Sequence, residues 1–293
     1  MRLGLIFFLL SGVAFGQTEL QQQIKTIAAD AHGKVSVACS LPDSELNCDL
    51  DAHAHPPMQS VFKLPLGVTT LHLIEQGKFS LDQPVRFLPS DRILPHTYSP
   101  LQDKYPEANV DVPLRELLRL AVSLSDNVAA DIILRTIGGP PAVDAYMKSI
   151  GVAGFHLEDD EQGLSRDVRA QYRNWFEPAG AVYLLRRISD NSPLTPEHNG
   201  ILLRWMEATP RGQEQIKGDL PAGTVVMHKT GRSATVGGVT FATNDIGLVT
   251  LPDGRRLAIA VYVTDSAADD GTRDKVIARI AKTAYDESTK GKK

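Results

Sequence analysis

Apolar residues recur at helical spacing through most of this chain and at strand spacing near its two ends. Leu20, Ile24 and Ile27/Ala28 share one face of a helix expected over Leu20 to Ala31. Val35 to Cys39 alternates as a strand, with a partner expected near Leu46 to Leu50. Ser60 to Gln76 carries Val61, Phe62, Leu64, Leu66, Val68, Leu71 and Ile74, so it reads as a buried helix ended by Gly77. Pro65 falls near its start, where proline disrupts least. Helical periodicity continues through Pro113 to Leu124, Val128 to Ile137, Ala142 to Ile150, Ala179 to Ile188 and Pro196 to Met206. Gly151 to Trp175 is charged and weakly periodic, and a loop that long inside a compact domain is as a rule functional or disordered.

The last third changes period. Thr224 to Met227, Val236 to Thr243, Ile246 to Leu251 and Leu257 to Val263 read as strands, with Pro252-Asp253-Gly254 as a turn and Lys275 to Ala284 as a closing amphipathic helix. Strands at both ends of a helical middle predict an α+β fold. An antiparallel sheet built from both chain ends would be flanked by helices, with a mostly helical domain inserted. The expected division is a discontinuous α/β domain over 17–59 and 209–287, a helical domain over 60–208, and a tail over 288–293. Catalytic groups are expected where the helical region meets the sheet.

Composition narrows the function classes. A net charge of −4 over 293 residues leaves no electrostatic footprint for nucleic acid or an anionic membrane. Residues 1–16 read as a secretory signal: Arg2, the apolar run Leu3 to Leu10, and a small-x-small site at Ala14-Phe15-Gly16. The run ends too soon to span a bilayer. Export without a membrane span, to the periplasm, is therefore expected. Cys39 and Cys48 flank a polar loop, and either a disulfide closing that hairpin or two buried thiols fits the pattern. His53 and His55 have no further ligands at zinc spacing, so neither a metal nor another cofactor is expected.

Three short motifs carry the chemistry: Ser60-Val61-Phe62-Lys63, Ser125-Asp126-Asn127 and Lys229-Thr230-Gly231. On the order of one S-x-x-K arises by chance in a chain this long, so the set and its order matter more than any member. Ser60 and Lys63 would share a helix face, letting the amine reach the hydroxyl. Lysine takes a serine proton only if burial or another cation depresses its pKa, and Lys229 is a candidate for that cation. Ser125 could relay protons, Asn127 hold an amide, and Lys229 and Thr230 hold an anionic group. Gly231 would let substrate lie against the strand. An acyl-transfer enzyme needs this set. Ser189-Asp190-Asn191 repeats the second motif, but it trails a helix into Ser192-Pro193 as a polar turn would, whereas Ser125 joins two apolar helices.

With these motifs the chain resembles the class A serine β-lactamases, most closely the PER-type subgroup, from Gln21 to about Ala284. The shared text includes Pro57-Met58-Gln59-Ser60-Val61-Phe62-Lys63, Thr97-Tyr98-Ser99-Pro100, Gln171-Tyr172-Arg173-Asn174-Trp175, Leu220-Pro221-Ala222-Gly223-Thr224, His228-Lys229-Thr230-Gly231 and Ala242-Thr243-Asn244-Asp245. The resemblance implies a monomer acting on a small β-lactam, and an omega loop at about 152–175 whose glutamate activates the hydrolytic water. Glu161 fits that glutamate by its distance from Trp175, Asn127 and Lys229; Glu177, followed by Pro178, is the rival. It also implies backbone N–H groups of Ser60 and Arg232 at an oxyanion, and Tyr98 at the entrance. Two departures stand out. Ser165 replaces an asparagine that helps to hold the water. Arg232 stands where small residues are usual, while Gln215 occupies a place where relatives carry an arginine. Arg232 would then either supply the missing cation for a substrate carboxylate or point to solvent and narrow the mouth. A D,D-peptidase or a non-turnover β-lactam-binding domain would share the three motifs without the deacylating glutamate.

Overall fold

The computed structural model describes residues 18–94 and 97–290, so the expected signal lies outside the described residues. The chain enters through helix α1 (Glu19–Ala28) and strand β1 (Lys34–Ser40). Thr18 and Gln21 cap α1 reciprocally, each side chain accepting from the other's backbone N–H. Helix α2 (Lys63–Glu75) is central, buried on every side from Lys63 to Leu71. Pro65 sits in its first turn, and Gly67 lets it approach α4 (Leu114–Ser123), where a Cβ would lie 3.0 Å from Val122 Cγ2.

Before α4 come β2 (Pro84–Phe87), a short α3 (Pro100–Lys104) and β3 (Val110–Pro113), with β2 and β3 forming a small antiparallel pair. The sequence reading has none of these three. Four- and five-residue elements bounded by proline are too short for periodicity to register. Helices α5 (Asn127–Ile137) and α6 (Pro140–Ser149) follow α4. The pair β4 (Phe155–His156) and β5 (Trp175–Phe176) then closes the base of a loop holding helix α7 (Glu161–Arg166). Helices α8 (Pro178–Ser189) and α9 (Pro196–Glu207) lead back to the sheet.

The main sheet takes β1 from the N-terminal region and β6 (Val226–Arg232), β7 (Thr235–Val236), β8 (Val239–Thr250) and β9 (Arg256–Ser266) from the C-terminal region. It is antiparallel in the order β1-β9-β8-β6, with β7 also on β8. This is the expected α+β sheet built from both ends. Alternation in β9 divides the core. Leu257, Ile259, Val261 and Val263 pack towards α1 and α10 (Asp270–Thr289), while Ala258, Ala260 and Tyr262 join the core of the helical region.

Two expected strands, Val236 to Thr243 and Ile246 to Leu251, are one strand, β8 with its β7 hairpin. Polar Asn244 and Asp245 interrupt the apolar pattern but are buried with partners: Asn244 Nδ2 donates to the Pro57 carbonyl (2.8 Å), and Asp245 pairs with His228 (2.9 Å). Of Leu46 to Leu50 only Leu50 pairs, in an isolated bridge to Val37. Helix α10 starts at Asp270, capped by Asp269, and runs to Thr289, beyond the expected Lys275 to Ala284.

Cys39 and Cys48 form a disulfide across a sequence separation of 9, which settles the alternatives left open by the sequence. Closing so short a loop contributes about 3 kcal/mol. Reducing it, or Cys39→Ala/Cys48→Ala, should lower the midpoint of thermal unfolding by about 5–10 °C. The bridge lies in the core formed with α1 and α10, away from the three motifs, so catalysis of whatever reaction they support should be unchanged at 25 °C. Calorimetry with and without reductant, beside an activity assay, checks both halves.

Candidate active site

Ser60 lies in a single tight helical turn, Gln59–Phe62, directly ahead of α2, rather than in the α-helix itself. Gln59 adopts φ +48°, bending the chain into that turn. The turn is braced from the end of the β4–β5 loop: Met58 N–H donates to the Asn174 carbonyl (3.1 Å) and Gln59 Nε2 to Gln171 Oε1 (2.6 Å). Lys63 opens α2 with its side chain fully buried. Its Nζ donates to Ser60 Oγ (3.0 Å), the Ser125 carbonyl (2.9 Å) and Asn127 Oδ1 (2.5 Å). An ammonium has three N–H donors, and those acceptors use all three. Glu161 Oε1, 2.9 Å away, therefore pairs with Lys63 by charge while accepting no aligned hydrogen bond.

Ser125 holds φ +61°, a strained backbone for serine. Asp126 fixes it from beneath, accepting from Ser99 Oγ (2.7 Å), Leu101 N (2.6 Å) and Ala129 N (2.9 Å), the last as the N-cap of α5. Lys229, buried on β6, donates to Ser125 Oγ (2.9 Å) and the Thr230 carbonyl (2.8 Å). Burial first, and then the charge of Lys63, hold its amine well below the usual lysine range. Gly231 lets β6 press on the Ser60 turn, because a Cβ there would lie 2.5 Å from the Met58 carbonyl.

Glu161 owes its position to a residue that the sequence reading did not single out. Asp131 on α5 accepts the backbone N–H groups of Glu161 (2.8 Å) and Gln162 (2.9 Å), tying the start of α7 to the helical core. Burial, with Glu161 and Asp160 nearby, pushes the Asp131 carboxyl well up, against the pull of those two N–H groups. A lone acid inside the apolar run Val128 to Ile137 was the available signal. Asn174 acts similarly, its Oδ1 accepting from Glu158 and Asp159 N–H groups at 2.9 Å each.

Glu177 is held elsewhere, by His53 Nδ1 (2.9 Å) and His55 Nε2 (3.1 Å). The second Ser-Asp-Asn tripeptide ends α8, where Asn191 accepts from Asn199, and does not join the Ser60 cluster. Two clefts meet at Tyr98, Asn127 and Arg232. One, of about 330 Å³, reaches Ser60, Ser125 and Thr230; the other, of about 420 Å³, reaches Glu161 and Ser165. Tyr98 is half exposed beneath the Arg211 guanidinium, 4.0 Å from its ring centroid. Ser165 Oγ donates to the Gln162 carbonyl (2.8 Å), leaving its lone pairs towards other donors. Arg232 is exposed at the cleft, with its guanidinium paired to Asp270 (3.2 Å) and Asp274. Gln215 also donates to Asp274 (2.9 Å). Among the described residues no cluster of metal-ligating side chains is present.

Comparisons with known proteins agree with this geometry. A model of the beta-lactamase enzyme family matches residues 19–288. The extended-spectrum beta-lactamase PER-1 of Pseudomonas aeruginosa is 40% identical over 266 residues, covering 91% of this chain and 86% of that protein. A beta-lactamase of Bacteroides uniformis is 35% identical over 271 residues, covering 92% and 91%. Among solved structures, a beta-lactamase from Chitinophaga pinensis superposes with a TM-score of 0.89 at 40% identity, covering 92% of this chain and all of that one. The TLA-1 extended-spectrum enzyme gives 0.89 at 38%, covering 92% and 98%. The ordered motifs, the two-sided cleft and these matches over nearly the whole length place the chain in the beta-lactamase enzyme family, as a class A, PER-like member.

Proposed function

We propose that this protein hydrolyses β-lactams in two stages, through an acyl-enzyme on Ser60. The observation that carries the reading is the Lys63 amine, held between Ser60 Oγ and the Glu161 carboxylate in one buried cluster, while Lys229 sits on Ser125 Oγ. Ser60 attacks the lactam carbonyl as its proton passes to Lys63 in the neutral amine form, or to Glu161 through a water. The backbone N–H groups of Ser60 and Arg232 stabilise the oxyanion. Ser125 passes a proton to the leaving nitrogen, and Lys229 can replace it because the two are in contact. Asn127 holds the substrate's side-chain amide, with Tyr98 at the entrance. Lys229 and Thr230 hold the carboxylate against the flat strand that Gly231 permits.

In the second stage Glu161, on the omega loop, takes a proton from water, which then attacks the acyl carbonyl; Ser165 lines the same cleft and helps to hold that water. This glutamate separates hydrolysis from the peptidase and non-turnover readings, which need only the acylation half. The expected setting is the periplasm after removal of residues 1–16, consistent with the Cys39–Cys48 disulfide. The α/β unit (17–59, 209–287) and the helical unit (60–208) would meet at the cleft, in a monomer.

A chromogenic cephalosporin tests the reading. The wild type should hydrolyse many equivalents per enzyme, and Ser60→Ala should lower kcat by at least ~10⁴-fold. A single stoichiometric burst with no further turnover would place the protein among the β-lactam-binding domains instead.

A further inference from the structure

Penicillins and cephalosporins carry a carboxylate beside the lactam nitrogen, and on the hydrolytic reading above that charge enters the cleft beside Thr230. Among the described residues four cations face this region, and three are committed. Lys63 spends its donors on Ser60, Ser125 and Asn127 beside Glu161. Lys229 is bound to Ser125 and the Thr230 carbonyl. Arg232 pairs with Asp270 and Asp274, and Asp270 also pairs with Arg273. That set balances two guanidiniums against two carboxylates. An anion approaching Arg232 would meet Asp270 and Asp274 as well, and like charges at that range oppose binding.

Arg211 is different. It lines the same cleft as Ser60, Ser125 and Thr230, is exposed, and has no carboxylate within ion-pair distance among the described residues. Among the described residues the close partner of its guanidinium is the Tyr98 ring, a cation–π contact that commits none of its N–H donors to a carboxylate. Its backbone is anchored beside the third motif. The next residue, Gly212, has φ +64°, and a Cβ there would lie 2.5 Å from Thr230 Cγ2. We propose that Arg211 is the specificity-determining cation that meets the substrate carboxylate in this protein, in place of an arginine at position 215 or of Arg232. Two further facts agree. The charge of Arg211 is felt at Lys229, among the causes that hold that amine below its usual range. A guanidinium also keeps its charge on burial more readily than a lysine amine.

The test compares a cephalosporin acid with its neutral methyl ester in the full-length mature enzyme. Arg211→Met keeps the stem over Tyr98 and drops the charge. It should raise KM for the acid about tenfold with little change in kcat, and leave the ester unaffected. Arg211→Lys should recover part of the loss. An equal penalty on acid and ester would mean that Arg211 only positions Tyr98, and no penalty on either would place the carboxylate elsewhere; both overturn the proposal. Mass spectrometry of the Ser60 peptide in the same reactions tests the underlying reading separately. No Ser60 adduct in the wild type or in Glu161→Gln would overturn the acyl-enzyme itself, whatever Arg211 does.

Discussion

Glu161→Gln should convert this protein from a hydrolase into a trap: the acyl group remains on Ser60 and deacylation slows by ~10³-fold. Glutamine keeps the size and one acceptor of the carboxylate but takes no proton from water. Acylation should persist, because Lys63 remains in contact with Ser60 Oγ. The expected record is a burst of one equivalent, a slow steady phase and a stable adduct on Ser60. Glu177→Gln serves as the control. It disturbs only the contacts with His53 and His55, so turnover should continue at close to the wild-type rate. Trapping by Glu177→Gln instead would mean that the deacylating residue has been misassigned.

The contrast between these two glutamates shows what the sequence alone conveyed. Glu177 has the more familiar local text, followed by proline at the start of α8, yet His53 and His55 hold it. Glu161 is reached only by spacing, and the structure brings it beside Lys63 because intervening elements have fixed lengths once α5 and the β4–β5 pair are in place. The long helices and the sheet were legible for the same reason: their apolar periods extend over two or more turns or pleats. What stayed hidden depends on tertiary contact. The break at Asn244-Asp245 reads as a strand end until Pro57 and His228 supply partners from distant segments. Arg232 reads as a free cation until α10 brings Asp270 and Asp274 beside it. Asp131 carries no local motif, because both its acceptor bonds go to a loop thirty residues away.

Asp126→Ala should be the most damaging substitution that leaves every reacting group in place. The carboxylate is fully buried and joins three donors from different segments: the Ser99 hydroxyl and the backbone N–H groups of Leu101 and Ala129. Alanine removes the α5 N-cap and strands two buried backbone N–H groups, at about 1–3 kcal/mol each. A total near 4 kcal/mol should lower the thermal midpoint by about 10 °C. The functional loss should be larger than that unfolding explains. Ser125 keeps its left-handed backbone while its neighbour Asp126 is pinned by those three donors, and the Ser125 carbonyl and hydroxyl are the points at which Lys63 and Lys229 meet. Relaxation of that turn by about 1 Å should cost about 10² in kcat/KM at temperatures where the variant is fully folded. Asp126→Asn, which retains one acceptor oxygen, should fall between the two. If Asp126→Ala lost stability but kept wild-type kcat/KM, the turn would hold Ser125 without its carboxylate, and the coupling between the cap and the catalytic serine would be wrong.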